Sequence, residues 1–474
     1  MPDLNLPQNT PSSKAQEPVQ SVDLLILGPD IVTFDDADTV VINGAIAISG
    51  NSILWLGSEA EALARFTAAH TLRAPGLIAM PGLIDGHFHT AQQFLHGKFA
   101  SLRRCGEYLE PVWQRYLIPF ESGLEPEDVY CSGLAGYAAM IASGTTCFLE
   151  AGGPFPDEMG RAAAEIGIRG RIAMSTMDMD ESVPTCSRYS TAEALRLSEE
   201  LVLRWRNHPR VNAWLSLRQL LVNSEALRIG MRELSHALDT PIHTHLAEGT
   251  YEVDYAIQNW RLRPAEYLDS INCFDSRVHA AHSVLLSSNE LDLYVKHDVS
   301  ACHCALNNYR IGVPRLYEMI RRNVRVALGS DGAATRSTLD LFAVVHGAQV
   351  GSQAVGGTPF HWDTPLSNEQ LLRQAVRGGS RAARLEKQIG SLEAGKLADI
   401  ILIATDDYDQ YPNSDPVTTL AESTTGRDVR HVIIDGRIVM RDRQLLSVDL
   451  GPMRERVSRQ YRIIIDRFDT AISQ

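Results

Sequence analysis

Eight short apolar runs alternate with helical patterns along the middle of this chain. The segments between the runs, such as DEMGRAAAEIG, TAEALRLSEELVLRWRNH and NSEALRIGMRELSHAL, have helical periodicity. The runs are LIAMPGLIDGH, TTCFLE (145–150), RIAMST (171–176), VNAWLS (211–216), PIHTH (241–245), VHAAH (278–282), VSACH (299–303) and VRVALGS (324–330). Eight strand–helix alternations over about 300 residues are what a closed parallel barrel requires. We therefore expect an α/β fold with a (β/α)8 TIM barrel over residues 78–388.

Both ends of the chain have a different rhythm, with short strands punctuated by Gly and Asn. VDLLILG, TVVINGAIAIS and SILWLG, with the helix-like SEAEALARFTAAH, precede the barrel, and ADIILIA, VRHVIIDG and RIVMRD follow it. We expect residues 23–77 and 389–450 to pair into one β-domain. A helix over 451–474 would close the chain. The polar Pro/Ser/Gln-rich stretch 1–22 has no apolar signal core and predicts a disordered tail.

Composition excludes several classes of protein. The 58 acidic residues outnumber the 44 basic ones, which argues against nucleic acid and anionic membrane as partners. No stretch approaches the roughly 18 consecutive apolar residues of a membrane span. The seven cysteines are an odd, scattered set without a CxxC pair. They predict reduced thiols, and hence a cytoplasmic protein.

Imidazole and acidic side chains stand at the ends of these runs. They are His87 and His89 in PGLIDGHFHT, His245 and Glu248 in HTHLAE, His282 in AAHS, and Asp331 in LGSDG. Alternate residues of a strand share one face, so His87 and His89 can point together into the mouth of a barrel. His245 would point inward like them, Glu248 would follow in the loop beyond its strand, and all the candidates fall at strand ends, where barrel enzymes place their chemistry. Each motif alone is weak, but the conjunction predicts one metal site. His243 has the parity of His245 but lies deeper, and we interpret it as a packed core histidine.

Together, PGLIDGHFH, HTHLAE, AAHS and GSDGA resemble the amidohydrolase superfamily, in its mononuclear branch of deaminases and chlorohydrolases. That branch includes guanine and 8-oxoguanine deaminases, S-adenosylhomocysteine deaminases and s-triazine hydrolases. The resemblance implies a distorted barrel with a composite β-sandwich built from both termini. It also implies that His87, His89, His245 and Asp331 bind one divalent metal. Glu248 would be the proton shuttle, and His282 would orient the metal-bound water or polarise the substrate.

The chemistry agrees with these roles. A bound Zn²⁺ lowers the pKa of its water to roughly 7, Asp331 can accept a proton from that water, and Glu248 can carry it onward. Three imidazoles and a carboxylate also suit Fe²⁺, although Zn²⁺ is the first choice. No lysine occurs between Lys98 and Lys296, which excludes a lysine-bridged pair of metals. We expect Cys302, His303 and Cys304 to be core residues, not ligands.

The substrate contacts are predicted from weaker signals. Related deaminases carry a glutamine at the offset of Gln92, where it hydrogen-bonds a ring edge. Arg218 resembles the arginine that holds an oxo group in guanine deaminases, although a simple salt bridge explains it equally well. The follow-on of the seventh strand, HCALNNYRIG, departs from the family pattern, and we expect Asn308, together with Asn307, to line the pocket. His96 replaces an arginine of many relatives, and Trp113, Tyr116 and Phe120 could wall an aromatic ligand or simply pack in the core.

These observations predict a hydrolase that adds metal-bound hydroxide to an amino-substituted nitrogen heterocycle and releases ammonia. Oxopurines, pterins and s-triazines are the candidate substrates. The alternative is the same site hydrolysing another C–N or C–Cl bond, in a chloro- or alkylamino-triazine or in an arylurea or amide. A non-catalytic scaffold would lack ligands, and every expected ligand is present. Relatives are commonly homodimers or larger, so a homo-oligomer is expected.

Overall fold

The computed structural model describes residues 19–109, 111–334, 338–356, 366–406, 408–412 and 415–472. The strands are β1 Gln20–Leu27, β2 Asp30–Val32, β3 Val40–Val41, β4 Gly44–Ser49, β5 Ser52–Ser58, β6 Phe66–Arg73, β7 Leu77–Pro81, β8 Leu83–Phe88, β9 Thr145–Glu150, β10 Arg169–Ile172, β11 Val211–Ala213, β12 Leu215–Leu217, β13 Ile242–Leu246, β14 Val278–His282, β15 Ser300–His303, β16 Arg325–Leu328, β17 Ile400–Ala404, β18 Val429–Ile434, β19 Arg437–Arg441 and β20 Gln444–Leu445.

The helices are α1 Glu59–Arg65, α2 Lys98–Cys105, α3 Ile118–Ser122, α4 Pro126–Ala142, α5 Pro156–Ile166, α6 Thr191–Trp205, α7 Glu225–Leu238, α8 Thr250–Trp260, α9 Pro264–Ser270, α10 Ser288–His297, α11 Ala305–Ile311, α12 Leu316–Arg321, α13 Leu341–Gly356, α14 Asn368–Arg373, α15 Gly379–Ala382, α16 Pro416–Glu422 and α17 Leu450–Ile472. None of the helices in the described part of the chain is long and apolar enough to cross a membrane.

The middle of the chain forms two parallel sheets, ordered β11-β10-β9-β8 and β12-β13-β14-β15-β16. Strands β11 and β12 are separated only by Trp214 and together occupy the predicted run VNAWLS. All residues of β9, β13 and β14 are buried, as expected for parallel strands that are covered on both faces. The α/β class and the parallel, TIM-barrel-like strands are therefore confirmed.

Strands from the two ends of the chain pair with each other. A seven-stranded sheet has the order β20-β19-β18-β17-β7-β2-β3, in which β17 runs antiparallel to β7. A second sheet, β5-β4-β1-β6, shares a buried apolar cluster with it. In that cluster Ile26 and Ile46 pack with Ile400 and Leu402. The two ends are thus joined by hydrogen bonds and by packing.

The predicted first barrel run, LIAMPGLIDGH, is divided between the two parts of the fold. Leu77–Pro81 pairs with β17, and Leu83–Phe88 pairs with β9. Gly82 lies at the crossing, where its N–H donates to the carbonyl of Asp399 at 3.0 Å. A Cβ at Gly82 would lie 2.0 Å from Oγ1 of Thr146, so the close approach requires glycine.

Two predicted boundaries are corrected. The helix over SEAEALARFTAAH ends at Arg65, because Phe66–Arg73 is strand β6 and pairs in parallel with β1. The disordered tail was predicted to reach residue 22, but strand β1 begins at Gln20, since Gln20 pairs with Phe66. Residues 1–18 lie outside the described residues, so the rest of the tail stays a prediction. The closing helix, predicted over 451–474, corresponds to α17, Leu450–Ile472, which packs against α4, and residues 473 and 474 lie outside the described residues.

Candidate active site

The predicted metal ligands lie at the carboxyl ends of three parallel strands. His87 lies near the end of β8 and His89 directly follows that strand. His245 is in β13, and Asp331 follows β16 in a left-handed backbone conformation (φ 61°). The N–H of Asp331 donates to the carbonyl of His87 at 3.0 Å, which fixes the loop after the last parallel strand against the first. Chain segments far apart in sequence therefore meet at one point.

The ligand atoms converge closely. His87 Nε2 lies 3.1 Å from Asp331 Oδ1, and His89 Nε2 lies 3.8 Å from the same oxygen. His245 Nε2 lies 3.2 Å from His89 Nε2. The ligating atoms of His87, His89 and His245 all lie within 4.8 Å of one another, as do those of His87, His282 and Asp331. The predicted ligands thus fall into two overlapping groups that share His87, and each group could hold a metal ion. That one ion binds all four predicted ligands stays a prediction.

The protonation of the site suits a cation. Burial lowers the pKa of His87, His89 and His245 well below its ordinary value, and the neighbouring imidazoles lower it further. The rings are neutral, which is the form that binds a metal. Two neutral imidazoles whose Nε2 atoms face each other need a proton or a cation between them. Three such rings and one carboxylate are a set that accepts Zn²⁺ or Fe²⁺, so the residues present fit the metal.

Glu248 stands in the loop after β13, beside the ligands. Its Oε2 accepts hydrogen bonds from Gln219 Nε2 and from the Tyr251 hydroxyl, both at 2.8 Å. Its backbone N–H donates to the buried carboxyl of Glu252 at 3.0 Å. Its second oxygen, Oε1, lies 3.8 Å from His282 Nε2. The carboxylate is therefore fixed at one oxygen and directed at the site with the other.

His282 is buried at the end of β14. Its Nδ1 lies 3.0 Å from Asn308 Oδ1, a carbonyl oxygen that can only accept, so the ring carries a proton on Nδ1. Burial alone would lower the pKa of His282, but the carboxylates of Glu248 and Asp331 outweigh burial and raise this pKa well above its ordinary value. The Nε2 atom of His282 faces Glu248, and the ring also belongs to the candidate ligand group with His87 and Asp331.

Two of the predicted substrate residues share one carboxylate. Gln92, in the 3-10 helix Thr90–Leu95, donates from Nε2 to Glu121 Oε1 at 2.6 Å. Arg218 donates from Nη1 to Glu121 Oε2 at 2.8 Å, in a pair whose side chains are only 3% and 5% exposed. Gln92 and Arg218 both line the central cavity. Arg218 is thus salt-bridged, as one of the two alternatives for it holds, and it also lines the cavity, so its contact with an oxo group stays a prediction.

Asn308 does not lie where a substrate contact was predicted. It is fully buried, and its amide contacts His282 and, at 3.0 Å, His303 Nδ1, because α11 carries it behind the strand ends. Asn307 lines the cavity instead and donates to Asp331 Oδ2 at 2.8 Å. His96 is exposed and is not a lining residue. Cys302 and Cys304 are buried in an apolar cluster, as expected for core residues.

The cavity over these residues has a volume of about 570 Å³. Its lining includes the aromatic residues Phe99, Tyr108 and Trp113 together with the polar residues described above. Trp113 faces Tyr251, with ring centroids 6.0 Å apart. Tyr116 and Phe120 line a different, adjacent cavity. A lining that combines aromatic side chains with polar groups suits a planar, polar ring.

Sequence analysis missed three residues of the site: Glu121, Gln219 and Tyr251. Glu121 lies in a short, mostly apolar helix without a recognisable motif. Gln219 is adjacent to Arg218, and Tyr251 lies only three positions after Glu248, in the first turn of α8. That spacing was a usable signal for Tyr251.

Neutral imidazoles and carboxylates gathered at the carboxyl ends of parallel strands are the arrangement expected of a metal-dependent hydrolase. The chain belongs to the amidohydrolase family, since the model of the Amidohydrolase family matches residues 78–439. The resemblance stated from the motifs is confirmed, and the protein is a hydrolase.

Named relatives agree with this assignment. The chain is 31% identical over 434 residues to a 5-methylthioadenosine/S-adenosylhomocysteine deaminase of Acetivibrio thermocellus, which covers 90% of this chain and 96% of that protein. The structure of the present chain is similar to that of an adenosine deaminase from Xanthomonas campestris with bound zinc. The TM-score is 0.87 and the identity 28%, and the match covers 96% of this chain and 100% of the other. The fold is also that of an atrazine chlorohydrolase from Arthrobacter aurescens (TM-score 0.80, 20% identity, coverage of 92% and 100%).

Proposed function

We propose that this protein is a metal-dependent aminohydrolase that replaces the exocyclic amino group of a nitrogen heterocycle by oxygen and releases ammonia. The observation that carries the proposal is the convergence of His87, His89, His245 and Asp331 beside Glu248. The deaminase names of its relatives support the same reaction class. One divalent ion is expected, with Zn²⁺ preferred over Fe²⁺.

The bound cation would supply a hydroxide at neutral pH, by lowering the pKa of coordinated water to about 7. Asp331 would accept a proton from that water. Glu248, with Oε1 free of the Gln219 and Tyr251 bonds, would deliver one of the two protons of water to a ring nitrogen and, in a later step, the other proton to the leaving amine. His282, with a proton on Nε2, would donate a hydrogen bond to the oxygen that adds to the ring. Water and the amino-heterocycle thus yield the oxo-heterocycle and ammonia.

The substrate is a planar, nucleoside-like or purine-like ring with an oxo group. Gln92 donates its amide N–H to Glu121, so its carbonyl oxygen is left as an acceptor. Arg218 uses Nη1 for Glu121 and keeps further N–H donors. A ring edge that combines an N–H with an oxo group complements this pair, as in oxopurines and pterins. The cavity of about 570 Å³ is larger than a single base needs, so it leaves room for a ring substituent.

The test is ammonia release from a panel of heterocycles. Guanine, 8-oxoguanine, a pterin and an amino-triazine should be compared with 5′-methylthioadenosine and S-adenosylhomocysteine, and with atrazine as a source of chloride or alkylamine. Ammonia from an oxo-substituted ring is expected. Turnover of the adenine compounds alone would overturn the proposed role of Arg218, and release of chloride or alkylamine without ammonia would overturn the reaction class.

We also propose that the eight parallel strands close into a distorted barrel and that both termini form one β-sandwich, over residues 23–77 and 389–450. The Asp331–His87 backbone bond between the first and last strands supports closure. The apolar cluster shared by the two terminal sheets supports the sandwich.

A further inference from the structure

His243 lies two residues before the candidate ligand His245 in strand β13, on the same face of the strand. Its side chain is fully buried, and its ring lies parallel to that of His87, with centroids 5.0 Å apart and an interplanar angle of 8°. His243 Nε2 is 2.9 Å from His87 Nδ1, which is a hydrogen-bond distance. A residue predicted to be simple core packing therefore contacts a candidate metal ligand.

The direction of this hydrogen bond follows from the candidate metal site. His87 faces Asp331 through Nε2, at 3.1 Å, so Nε2 is its ligating nitrogen. A ligating nitrogen carries no proton, and a neutral ring must then carry its proton on Nδ1. His87 Nδ1 donates, and His243 accepts at Nε2. His243 consequently carries its own proton on Nδ1.

The other ligands are held differently. His245 Nδ1 donates to the backbone carbonyl of Arg218 at 2.7 Å, an acceptor that no substitution at another side chain removes. His89 Nδ1 has no hydrogen-bond partner among the described groups. His87 is thus the ligand whose tautomer depends on one replaceable side chain. Ligating histidines generally need such a partner to fix the ring and its basicity.

Packing alone does not account for a histidine at this position. Within the described part of the chain, His243 Nδ1 finds no hydrogen-bond partner, and the ring is surrounded by Trp214 and His279, with centroids 5.5 and 5.8 Å away. A buried N–H without a partner is unfavourable, so an apolar residue would pack at least as well. What a histidine adds at this position is therefore the hydrogen-bond acceptor Nε2, which faces His87 Nδ1.

We propose that His243 is a positioning residue of the metal centre. It accepts a hydrogen bond from Nδ1–H of His87 and so keeps the Nε2 lone pair of His87 directed at the cation. This inference rests on the proposed metal-dependent function. It concerns affinity for the metal, not contact with the substrate.

The test compares His243→Leu with His243→Gln. Glutamine places a carbonyl oxygen near the former Nε2 and keeps the acceptor, whereas leucine removes it. Zn²⁺ affinity is measured by competition with a chromophoric chelator, and the melting temperature of each metal-free protein reports folding. His243→Leu should raise the Kd for Zn²⁺ roughly 10- to 100-fold, and His243→Gln should restore affinity to within a few-fold of the parent.

His279→Leu is the matched control. His279 is equally buried in the same row of rings, but it bonds the Gly86 carbonyl at 2.9 Å and the Ser300 hydroxyl at 2.8 Å, not a ligand ring. Its Kd for Zn²⁺ should stay near that of the parent even where stability falls. Equal loss of affinity in the Leu variants at 243 and 279, or in both variants of His243, would overturn the proposal. A parent protein that binds no Zn²⁺ would instead overturn the proposed function.

Discussion

Among single residues, Glu121 joins the two proposed substrate contacts. Its two oxygens hold Gln92 and Arg218, so one buried carboxylate sets the orientation of both predicted ring contacts. Removing one member of a buried ion pair leaves an unpaired charge, whereas removing both does not. The effect of the Arg218–Glu121 ion pair on stability can therefore be measured separately from its effect on activity.

We expect Arg218→Met to destabilise the fold by about 3 kcal/mol and to lower kcat/KM roughly 10- to 100-fold, through the lost charged hydrogen bond to the ring. The double variant Arg218→Met/Glu121→Gln should recover stability but not activity. Urea unfolding and steady-state kinetics measure the two effects, with Arg196→Met on an exposed helix face as the control. A double variant no more stable than Arg218→Met alone would contradict the ion-pair explanation.

Glu248→Gln should lower kcat by about 10²- to 10⁴-fold, because the amide cannot relay a proton. Metal content should remain unchanged, since Glu248 is not among the grouped ligand atoms. The same substitution at the exposed Glu233 provides the control and should have no effect. Loss of metal together with activity would show that Glu248 is a ligand instead of a proton carrier.

At the scale of elements, strand ends position the site and the following helix steadies it. Helix α8 begins just after Glu248, and Glu252 in its first turn accepts the backbone N–H of Glu248 at 3.0 Å. Burial raises the pKa of Glu252 to about 8. The carboxyl group therefore stays protonated in the folded protein at neutral pH, while it ionises in the unfolded chain.

The folded pKa of Glu252 lies above its unfolded value, so its stabilising contribution is complete below about pH 4.5 and is lost as pH rises to about 8. The expected loss is of the order of 3–5 kcal/mol. Glu252→Gln keeps a carbonyl acceptor but cannot ionise. The melting temperature of the variant, relative to that of the parent, should therefore rise as the pH increases from 5 to 8. A difference in melting temperature between parent and variant that stays constant across this pH range would show that Glu252 does not titrate there.

The elements also show where sequence patterns suffice. TTCFLE and VHAAH are strands with the predicted bounds, because parallel strands covered on both faces are continuous apolar runs. Phe66–Arg73 was assigned in part to a helix, since its strand form depends on pairing with Gln20–Leu27. Gly82 likewise marks a change of sheet that the apolar run LIAMPGLIDGH hides.

The same distinction holds in the site. His87 and Asp331 are 244 positions apart, yet both were predicted, because each stands at a strand end that a barrel must bring together. Glu121 and Arg218 are 97 positions apart, and only their side chains join them, so no periodicity encodes the pair. Asn308 was placed in the cavity because the short α11 that turns it towards His282 has no sequence signature.

At the scale of the whole molecule, a buried ion pair ties the parallel strands to the terminal sheet. Arg169, the first residue of β10, donates to both oxygens of Asp399, at 2.6 and 3.1 Å, directly before β17. It also reaches Asp435 after β18 at 3.3 Å. The side chains of Arg169 and Asp399 are only 5% and 3% exposed. The pair lies at the amino end of its strand, opposite the active site.

We expect Arg169→Met to cost about 3–5 kcal/mol of unfolding free energy, because Asp399 would remain buried without its partner. Arg204→Met, which breaks an exposed pair with Asp157, should cost at most about 1 kcal/mol. Both folded variants should keep the parent kcat, since neither arginine lies in the cavity. Chemical unfolding and a single kinetic assay distinguish these outcomes. Equal, small losses of unfolding free energy in the two variants would contradict a stabilising role for the buried Arg169–Asp399 ion pair.

The position of the metal is the most direct test of the proposed site. Anomalous diffraction from crystals grown with Zn²⁺ should show one peak per chain, about 2.0–2.2 Å from nitrogens of His87, His89 and His245 and from an oxygen of Asp331. A peak bound elsewhere, or none at these four residues in protein shown to contain zinc, would contradict it.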